Sequence, residues 1–148
     1  MGKTTILIEK ITDKAVLPAY MTESSSGMDL YAAVEKNIAI KPMGRALIPT
    51  GIKAEIPRGY ELQVRPRSGL AWEYGIGVLN SPGTIDSDYR GEIKVILVNL
   101  SRKSFSVKPG SRVAQMVLSR TERAIIKPVK SVNATARGSG GFGHTGYK

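Results

Sequence analysis

The stretch GTIDSDYRGEIKVILVNLS, residues 83–101, decides the fold, because it joins a turn rich in Gly and Asp to a run in which apolar and polar residues alternate. Outward from it, the same alternation recurs in TTILIEKI, RALIPTG, IKAEIPRGYELQVRP and SRVAQMVLS. A period of two is typical of β-strands that bury one face. Turn signals separate these runs about every ten residues, as they do in sandwiches and barrels. The sequence therefore predicts an all-β fold in which only SGLAWEY, residues 68–74, is briefly helical.

The length and composition fit a single domain that needs no covalent cross-link. At 148 residues the chain is long enough to hold a hydrophobic core. Cysteine is absent and His144 is the only histidine, which excludes a disulfide framework, an ordinary zinc cluster and a Ser-His dyad. Any metal is therefore expected to bind through oxygen. The N-terminus lacks the features of a signal peptide and no apolar stretch approaches membrane-spanning length, so we expect a cytoplasmic protein without membrane association.

The net charge of +10 is distributed unevenly along the chain. Residues 1–100 hold 12 Lys and Arg against 11 Asp and Glu, whereas residues 101–148 hold 10 against the single acid Glu122. An excess of this kind fits a polyanionic partner, either a polyphosphate ligand or nucleic acid. Composition alone slightly favours the alternative, charge that serves solubility.

Two carboxylates stand two positions apart in GTIDSDYRGEI, residues 83–93. In an extended chain, Asp86 and Asp88 would project to the same side. One of them could then act as the general base that activates water. The alternative is a β-turn in which Asp side chains hold the backbone, and this segment taken alone favours the turn.

A basic segment, VRPRSGLA at residues 64–71, leads into the predicted helix. Arg67 and the hydroxyl of Ser68 precede Gly69, and exposed amides combined with guanidinium groups suit phosphate. A basic turn that only faces solvent is the alternative.

The segment RGSGGFGHTG, residues 137–146, combines one Arg, five Gly and one aromatic residue. Such glycines let backbone amides approach an anion closely, although the Walker pattern is absent. Phe142 has no place in a strand or helix period, so a base or a partner subunit would have to cover it. A disordered end with an incidental Phe is the alternative.

Taken together, five segments resemble the motifs of the homotrimeric deoxyuridine triphosphatase (dUTPase) family, in the same order and spacing. The resemblance runs from near residue 5 to the C-terminus. It implies a distorted jelly-roll barrel or sandwich over residues 1–133 and a flexible C-terminal flap over residues 134–148. It also implies three copies with active sites at subunit boundaries, each closed by the tail of another copy. The segments are SGMDL (26–30), RPRSGLA (65–71), GTIDSDYRG (83–91), PGSRVAQM (109–116) and RGSGGFGHTG (137–146).

The third motif carries the catalytic residue that the resemblance implies. Asp86 would orient and deprotonate the water that attacks the α-phosphate, and would also bond the deoxyribose 3′-hydroxyl. Asp88 would be structural. Tyr89 would pack its ring under the deoxyribose and leave no room for a 2′-hydroxyl, which excludes UTP.

The same motif matches assign the base and phosphate contacts. Asn80 and the backbone near Thr84 and Ile85 would read the acceptor, donor and acceptor edge of uracil, and cytosine would leave buried polar groups unpaired. The phosphates would be bound by the second and fourth motifs, with one weaker candidate on the following strand: Arg67, Ser68, Gly69, Gln115 and Lys94.

The tail and the first motif complete the implied site. Arg137 would contact the γ-phosphate, Ser139 and the glycine amides would wrap the phosphates, and Phe142 would stack on uracil. Asp29 would reach Mg²⁺ through its water shell, with the ion held mainly by triphosphate oxygens. The role of His144 is left open.

The resemblance implies a dUTP diphosphatase, which releases dUMP and pyrophosphate by Mg²⁺-assisted in-line attack of water. Such an enzyme limits uracil incorporation into DNA and supplies dUMP for thymidylate synthesis. The expected partners are dUTP and two further copies in a homotrimer, with no stable nucleic-acid complex and no membrane.

Two alternatives remain at this stage. A dCTP deaminase of the same fold needs a Glu on the strand after the third motif, and Glu92 stands too early to match. A basic nucleic-acid-binding β-barrel would use the cationic last third of the chain, but it needs aromatic platforms on its strands, of which the sequence has few.

Overall fold

The computed structural model describes residues 4–146, which form strands and one short helix. In chain order the elements are β1 (Leu7–Lys10), β2 (Ala19–Tyr20), β3 (Met28–Tyr31), β4 (Ile38–Ile40), β5 (Arg45–Pro49), β6 (Ile52–Glu55), β7 (Tyr60–Arg65), α1 (Ser68–Tyr74), β8 (Ile76–Val78), β9 (Gly83–Ile85), β10 (Lys94–Asn99), β11 (Phe105–Val107) and β12 (Arg112–Arg120).

All strand pairs are antiparallel, and they form four sheets. The largest sheet has the order β2-β3-β12-β7-β9, and a three-stranded sheet has the order β5-β10-β8. Two further pairs are β1-β6 and β11-β4. The predicted mostly-β, jelly-roll-like fold is confirmed, although over residues 4–146 the strands do not close into a barrel.

The alternating runs of the sequence bury one face as expected. In β10, Val95 and Leu97 are fully buried while Lys94 is exposed, and β7 buries Leu62 and Val64 in the same way. Each such aliphatic side chain contributes roughly 1.5–3 kcal/mol when it is removed from water. The hydrophobic core therefore lies between the sheets, and the loops at their ends remain available for function.

Helix α1 has the predicted bounds and lies at the surface, with no fully buried residue. It begins after Arg67, whose backbone is extended with φ −92° and ψ 128°. It ends at Gly75, whose positive φ of 65° and hydrogen bonds to the carbonyls of Ala71 and Leu70 form a left-handed cap. Over the described residues, no helix has the length and apolar character needed to cross a membrane.

Asn99 ties two loops together at the end of β10, where its side chain is fully buried. Its amide nitrogen donates to the carbonyls of Ile40 and Lys103, each at 2.8 Å. Its amide oxygen accepts from the backbone and the hydroxyl of Ser101 at 2.9 and 2.8 Å. The backbone of Asn99 also pairs with Met43 and Gly44 across the β4–β5 turn. One side chain thereby fixes the relative position of the β4–β5 and β10–β11 loops.

Replacing Asn99 with Ala should lower the free energy of unfolding by about 2 kcal/mol or more, because buried backbone groups lose their partners. The control is Asn37→Ala, since Asn37 is exposed and its side chain makes no hydrogen bond among the described residues. Urea unfolding of both variants gives the comparison. Equal destabilisation by the two substitutions would contradict the role assigned to Asn99.

Candidate active site

Two cavities collect most of the residues singled out from the sequence. The first, here the carboxylate cavity, has a volume of about 390 Å³ and is lined by Leu47, Thr84, Ile85, Asp86, Tyr89, Glu92, Ile93, Lys94 and Ile96. The second, here the guanidinium cavity, has a volume of about 440 Å³ and is lined by Met21, Ser25, Ser26, Gly27, Asp29, Arg67, Ser68, Gly69, Arg112 and Gln115.

Asp86 stands at the end of β9, where the chain turns. The backbone N–H of Tyr89 donates to the carbonyl of Asp86 at 3.1 Å, so residues 86–89 form a β-turn. This turn agrees with the β-turn that the segment taken alone favours, and it rules out the extended-chain alternative in which Asp86 and Asp88 project to the same side. The exposed side chain of Asp86 makes no hydrogen bond or ion pair with the described residues, so its carboxylate faces the cavity unpartnered.

On its other side, Asp86 borders a wider cavity of about 770 Å³ whose lining includes Arg58, Arg90 and Arg123. Tyr60 also lines this cavity. A hydrogen bond from the hydroxyl of Thr4, assisted by Arg120, lowers the pKa of Tyr60. The surroundings of Asp86 are thus rich in cationic and hydrogen-bonding groups.

The ring of Tyr89 is held in place at the carboxylate cavity. Its hydroxyl donates to the backbone carbonyl of Glu92 at 3.1 Å. A Cβ at Gly91 would collide with the Tyr89 hydroxyl and ring, so only glycine permits this close approach. Tyr89 therefore presents a fixed, half-exposed aromatic surface beside Asp86.

Lys94 lies in the same cavity with a carboxylate partner. Its ammonium is 3.3 Å from Oε2 of Glu92, and the other oxygen of Glu92 accepts the backbone N–H of Gly51 at 3.0 Å. Since Glu92 neutralises part of its charge, Lys94 is a weaker anion ligand than a free lysine would be.

Strand β9 supplies the remaining wall of the carboxylate cavity. It is the edge strand of the largest sheet and pairs only with β7 among the described strands. The backbone groups of Thr84 and Ile85 that face away from β7 therefore remain able to bond a ligand. Asn80 is exposed outside this lining, and its amide lies against Gly83, where a Cβ would be 3.1 Å from Nδ2.

Asp29 organises the guanidinium cavity from β3. Its side chain is 7% exposed, with Oδ1 at 3.2 Å from Nε of Arg67 and Oδ2 at 3.1 Å from Nη1 of Arg112. A buried carboxylate is stable only with such partners. Its assignment as a water-mediated metal ligand stays a prediction, and the observed contacts make it the residue that holds two guanidinium groups.

Arg112 was not singled out from the sequence, and a β-bulge explains the omission. Arg112 pairs with Tyr31 while Ala114 pairs with Leu30, so Val113 is the extra residue on β12. With strict alternation, Arg112 and Gln115 would lie on opposite faces of β12. The bulge instead places it on the face that Tyr31 shares with Asp29. From the sequence, only the opposite charges of Asp29 in the motif at residues 26–30 and Arg112 in the motif at residues 109–116 could have indicated this ion pair.

Gln115 on β12 pairs with Asp29 on β3 and with Arg65 on β7, so it lies between these two residues across the sheet. Its amide nitrogen donates to the carbonyl of Pro66 at 2.9 Å, which anchors the chain just before Arg67. The amide oxygen occupies the space where any Cβ at Gly27 would lie. Asp29, Arg67, Ser68, Gly69 and Gln115 are thus brought together as the motifs predict.

Within one chain the two cavities lie apart. Leu62 pairs with Ile85, so Asp86 lies opposite Glu61 at the start of β7. Arg67 follows the other end of that extended strand, which places it about 20 Å away at about 3.3 Å per residue. The ion pair with Asp29 also draws the Arg67 side chain toward β3, on the side of β7 away from β9.

The segment after β12, residues 121–146, contains no strand or helix. Phe142 is fully exposed, and Arg137 donates to the carbonyl of Gly140 in its own turn at 2.8 Å. Neither of them, nor Ser139, lines the two cavities. Four aliphatic side chains of the segment are 67–90% exposed, namely Ile125, Ile126, Val129 and Val132. These apolar side chains are left uncovered by the other described residues.

The side chains of the two cavities could hold a metal ion only together with a bound molecule that supplies further oxygen ligands. Among residues 4–146, no group of three or more His, Cys, Asp or Glu side chains could hold an ion. Asp86 offers a free carboxylate, whereas both oxygens of Asp29 are engaged. Such a set suits a hydrated magnesium ion carried by a polyphosphate.

The family model described as dUTPase matches residues 13–146. A deoxyuridine 5′-triphosphate nucleotidohydrolase of Chlamydia pneumoniae is 63% identical over 131 residues, covering 88% of this chain and 90% of that protein. One from Syntrophotalea carbinolica is 48% identical over 147 residues, covering 99% of this chain and 100% of that protein.

Solved structures agree on the fold. The Staphylococcus bacteriophage 80alpha dUTPase with dUPNHPP has a TM-score of 0.85 at 22% identity, covering 97% of this chain and 99% of that chain. A mutant dUTPase from phage phi11 of S. aureus, described with a structural Mg(II) ion, has a TM-score of 0.80 at 18% identity. It covers 88% of this chain and 100% of that chain.

The Asp29–Arg112 contact should show a coupling energy above about 1 kcal/mol in a double-mutant cycle, because the carboxylate is buried. The cycle uses Asp29→Asn, Arg112→Gln and the double variant, each followed by urea unfolding. The control cycle is the exposed pair Lys14–Glu35, at 2.7 Å, where coupling should stay below about 0.5 kcal/mol. Equal coupling in both cycles would show that burial adds nothing.

Proposed function

The chain belongs to the dUTPase family, and from that premise we propose the residues by which it acts on dUTP. The protein hydrolyses dUTP to dUMP and pyrophosphate, the reaction for which its relatives are named. In our proposal a water molecule attacks the α-phosphorus in line with the bond to the departing pyrophosphate. Asp86 takes the proton of that water.

The observation that carries this proposal is the unpartnered carboxylate of Asp86 at the mouth of a cavity. A general base must be ionised, free of competing donors and within reach of the nucleophile. Among the described residues, Asp86 has no hydrogen bond or ion pair to break before it can accept a proton. Asp88 lies beyond the turn and is proposed to be structural.

Tyr89 is proposed to select deoxyribose. Its hydroxyl is bonded to the Glu92 carbonyl and its ring packs on Gly91, so the ring cannot retreat from a larger sugar. A 2′-hydroxyl placed against this ring would lose its hydrogen bonds to water without gaining a partner. UTP is therefore excluded by space and by desolvation together.

The edge of β9 is proposed to read uracil. Backbone groups near Thr84 and Ile85 that do not pair with β7 are held in fixed positions by the strand. Asn80 would complete the contact by swinging its amide from Gly83 toward the base. A fixed acceptor, donor and acceptor edge discriminates against cytosine, because mismatched groups would be buried unpaired.

The guanidinium cavity is proposed to bind the triphosphate. Arg67 and Arg112 together carry two positive charges against the single negative charge of Asp29, which leaves a net attraction for an anion. Each guanidinium keeps further N–H groups for phosphate oxygens. The Ser68 hydroxyl, the Gly69 amide and the Gln115 amide line the same space, and Lys94 would add a weaker contact from the carboxylate cavity.

The separation of the cavities supports sites shared between subunits of a homotrimer. Since Asp86 and Arg67 lie about 20 Å apart along β7, a triphosphate held by one chain would meet the Asp86 of a neighbouring chain. The flap, residues 134–148, would come from another copy, with Arg137 on the γ-phosphate, Ser139 along the chain of phosphates and Phe142 over uracil. Closing it would exclude bulk water and strengthen these contacts.

Mg²⁺ is proposed as the cofactor, carried by the triphosphate oxygens with its water shell. When bound, it would neutralise phosphate charge and polarise the α-phosphorus. Asp29 would reach that water shell from the guanidinium cavity while it keeps Arg67 in position. This arrangement requires no cluster of protein ligands, in keeping with the donor set of residues 4–146.

The alternative functions are not favoured. A dCTP deaminase would need a proton-shuttling Glu on β10, and the sequence of that strand, KVILVN, has none. A nucleic-acid-binding barrel would not account for the name and identity of the relatives. The hydrolysis of dUTP accounts for the free carboxylate, the fixed Tyr89 and the paired guanidinium groups together.

Separate reactions of dUTP, UTP, dCTP and dTTP with Mg²⁺ should release pyrophosphate and nucleoside monophosphate from dUTP alone. Asp86→Asn should lower kcat by about a thousandfold or more, while dUTP binding by calorimetry stays within a few-fold. Asp88→Asn is the matched control and should retain turnover. Full activity of Asp86→Asn would disprove its role, and ammonia release from dCTP would replace the hydrolase with a deaminase.

Mixed oligomers test the shared site. The Asp86→Asn and Arg67→Ala variants should each be inactive alone. When the two variants are refolded together at equal ratio, about a quarter of wild-type activity should return. The reason is that one site in four then takes its intact Asp86 from one variant and its intact Arg67 from the other. The control mixes the two folded proteins without unfolding. Absence of any recovery after verified mixing would place both residues of a site on one chain.

A further inference from the structure

Three surface segments lie together at the end of β10 that is away from Lys94. They are the β4–β5 turn at residues 41–45, the C-terminal half of α1 at residues 72–75, and the β10–β11 loop at residues 99–103. Asn99 bonds the first and third segments, as described above. The N–H of Leu100 donates to the carbonyl of Gly75 at 2.9 Å, which joins the second. We name this region the loop platform.

The loop platform carries an excess of positive charge. Its four basic side chains are exposed, and none forms an ion pair with a described residue: Lys41, Arg45, Arg102 and Lys103. Glu73 is the only acidic residue in the three segments. A net charge of this size on three short loops attracts polyanions and repels another copy of the same surface.

Apolar side chains stand among these charges. Trp72, the only tryptophan in the chain, is 91% exposed, and Met43 and Leu100 are 76% and 63% exposed. Tyr74 is half-exposed beside Phe105, with ring centroids 5.4 Å apart. An exposed indole on a helix that adjoins a loop carrying arginine and lysine is suited to stacking on a planar base.

The proposed catalytic machinery does not use the loop platform. Lys94, in the carboxylate cavity, and Asn99 are at opposite ends of β10, which puts them about 17 Å apart at the rise of a β-strand. Trp72 lies closer to the guanidinium cavity, because it follows Ser68 by four residues on α1, about 6 Å along the helix axis. The four basic side chains of the platform line neither cavity.

We propose that the loop platform is a second binding surface, for single-stranded nucleic acid, with phosphates on the four basic side chains and a base stacked on Trp72. Binding is weak and salt-dependent, as four exposed contacts allow, and it forms no stable complex. An acidic protein would satisfy the charges but would leave the exposed indole without a planar partner. The combination of unpaired cations and one exposed Trp favours the nucleic acid.

The single tryptophan provides a direct readout. Titration with an oligothymidylate lacking a 5′-triphosphate, at low salt, should quench the fluorescence of Trp72 and raise the anisotropy of a labelled strand. The double variant Arg102→Gln, Lys103→Gln should bind about tenfold more weakly, with the salt slope reduced by about 1.4. Its dUTP turnover should be unchanged. Trp72→Ala should weaken binding by roughly fivefold or more, and Trp72→Phe should restore part of the loss.

The matched control is Lys36→Gln with Lys108→Gln, two exposed lysines at the other end of the β4-β11 pair, which should bind like the wild type. Equal weakening by both double variants would reduce the effect to net charge and overturn the site. Competition by polyglutamate as effective as by an oligonucleotide of equal charge would assign the platform to an acidic protein instead. Because dUTP turnover is measured separately, neither outcome bears on the hydrolase.

Discussion

The buried carboxylate of Asp29 is the constraint around which the candidate site is built. A carboxylate that is 7% exposed needs partners, and it has two, Arg67 on one oxygen and Arg112 on the other. The first contact fixes the chain where it enters α1, and the second requires the β-bulge that turns Arg112 toward the same face. Gln115, between the two strands involved, then anchors Pro66. One negative charge thus aligns groups from the first, second and fourth motifs.

The same constraint keeps the two cavities apart within a single chain. Because Asp29 draws Arg67 toward β3, the guanidinium groups face away from β9 and from Asp86. Asp86 forms no ion pair or hydrogen bond with the described residues, so its lone pairs remain available for water. In the proposed homotrimer, assembly would bring the two cavities together and would complete the site only in the oligomer. The exposed aliphatic residues after β12 are consistent with such an arrangement, since they lack a partner within their own chain.

Much of the fold could be predicted from the sequence, because it depends on local patterns. Period-two alternation identified β7 and β10, and the residues SGLAWEY gave the bounds of α1. Ten of the residues that the motifs single out line one cavity or the other, whereas Asn80 and the residues of the tail do not. Arg112 was missed because a bulge shifts register without changing composition. The turn at residues 86–89 was favoured by the segment itself, because Gly and Asp are typical of turns.

The distribution of charge shows most clearly what the sequence alone can establish and what only the structure can. The sequence located the excess of lysine and arginine in the last third of the chain but could not say where these residues meet in space. Arg112 went into an ion pair, and Arg137 bonds its own turn. Arg102 and Lys103 remain exposed beside Lys41 and Arg45, which lie nearly sixty residues earlier and belong to the nearly neutral part of the chain. A buried asparagine, not a run of basic residues, brings the four together. Charge that served solubility alone would need no such convergence and would gain nothing from an exposed tryptophan on the adjoining helix.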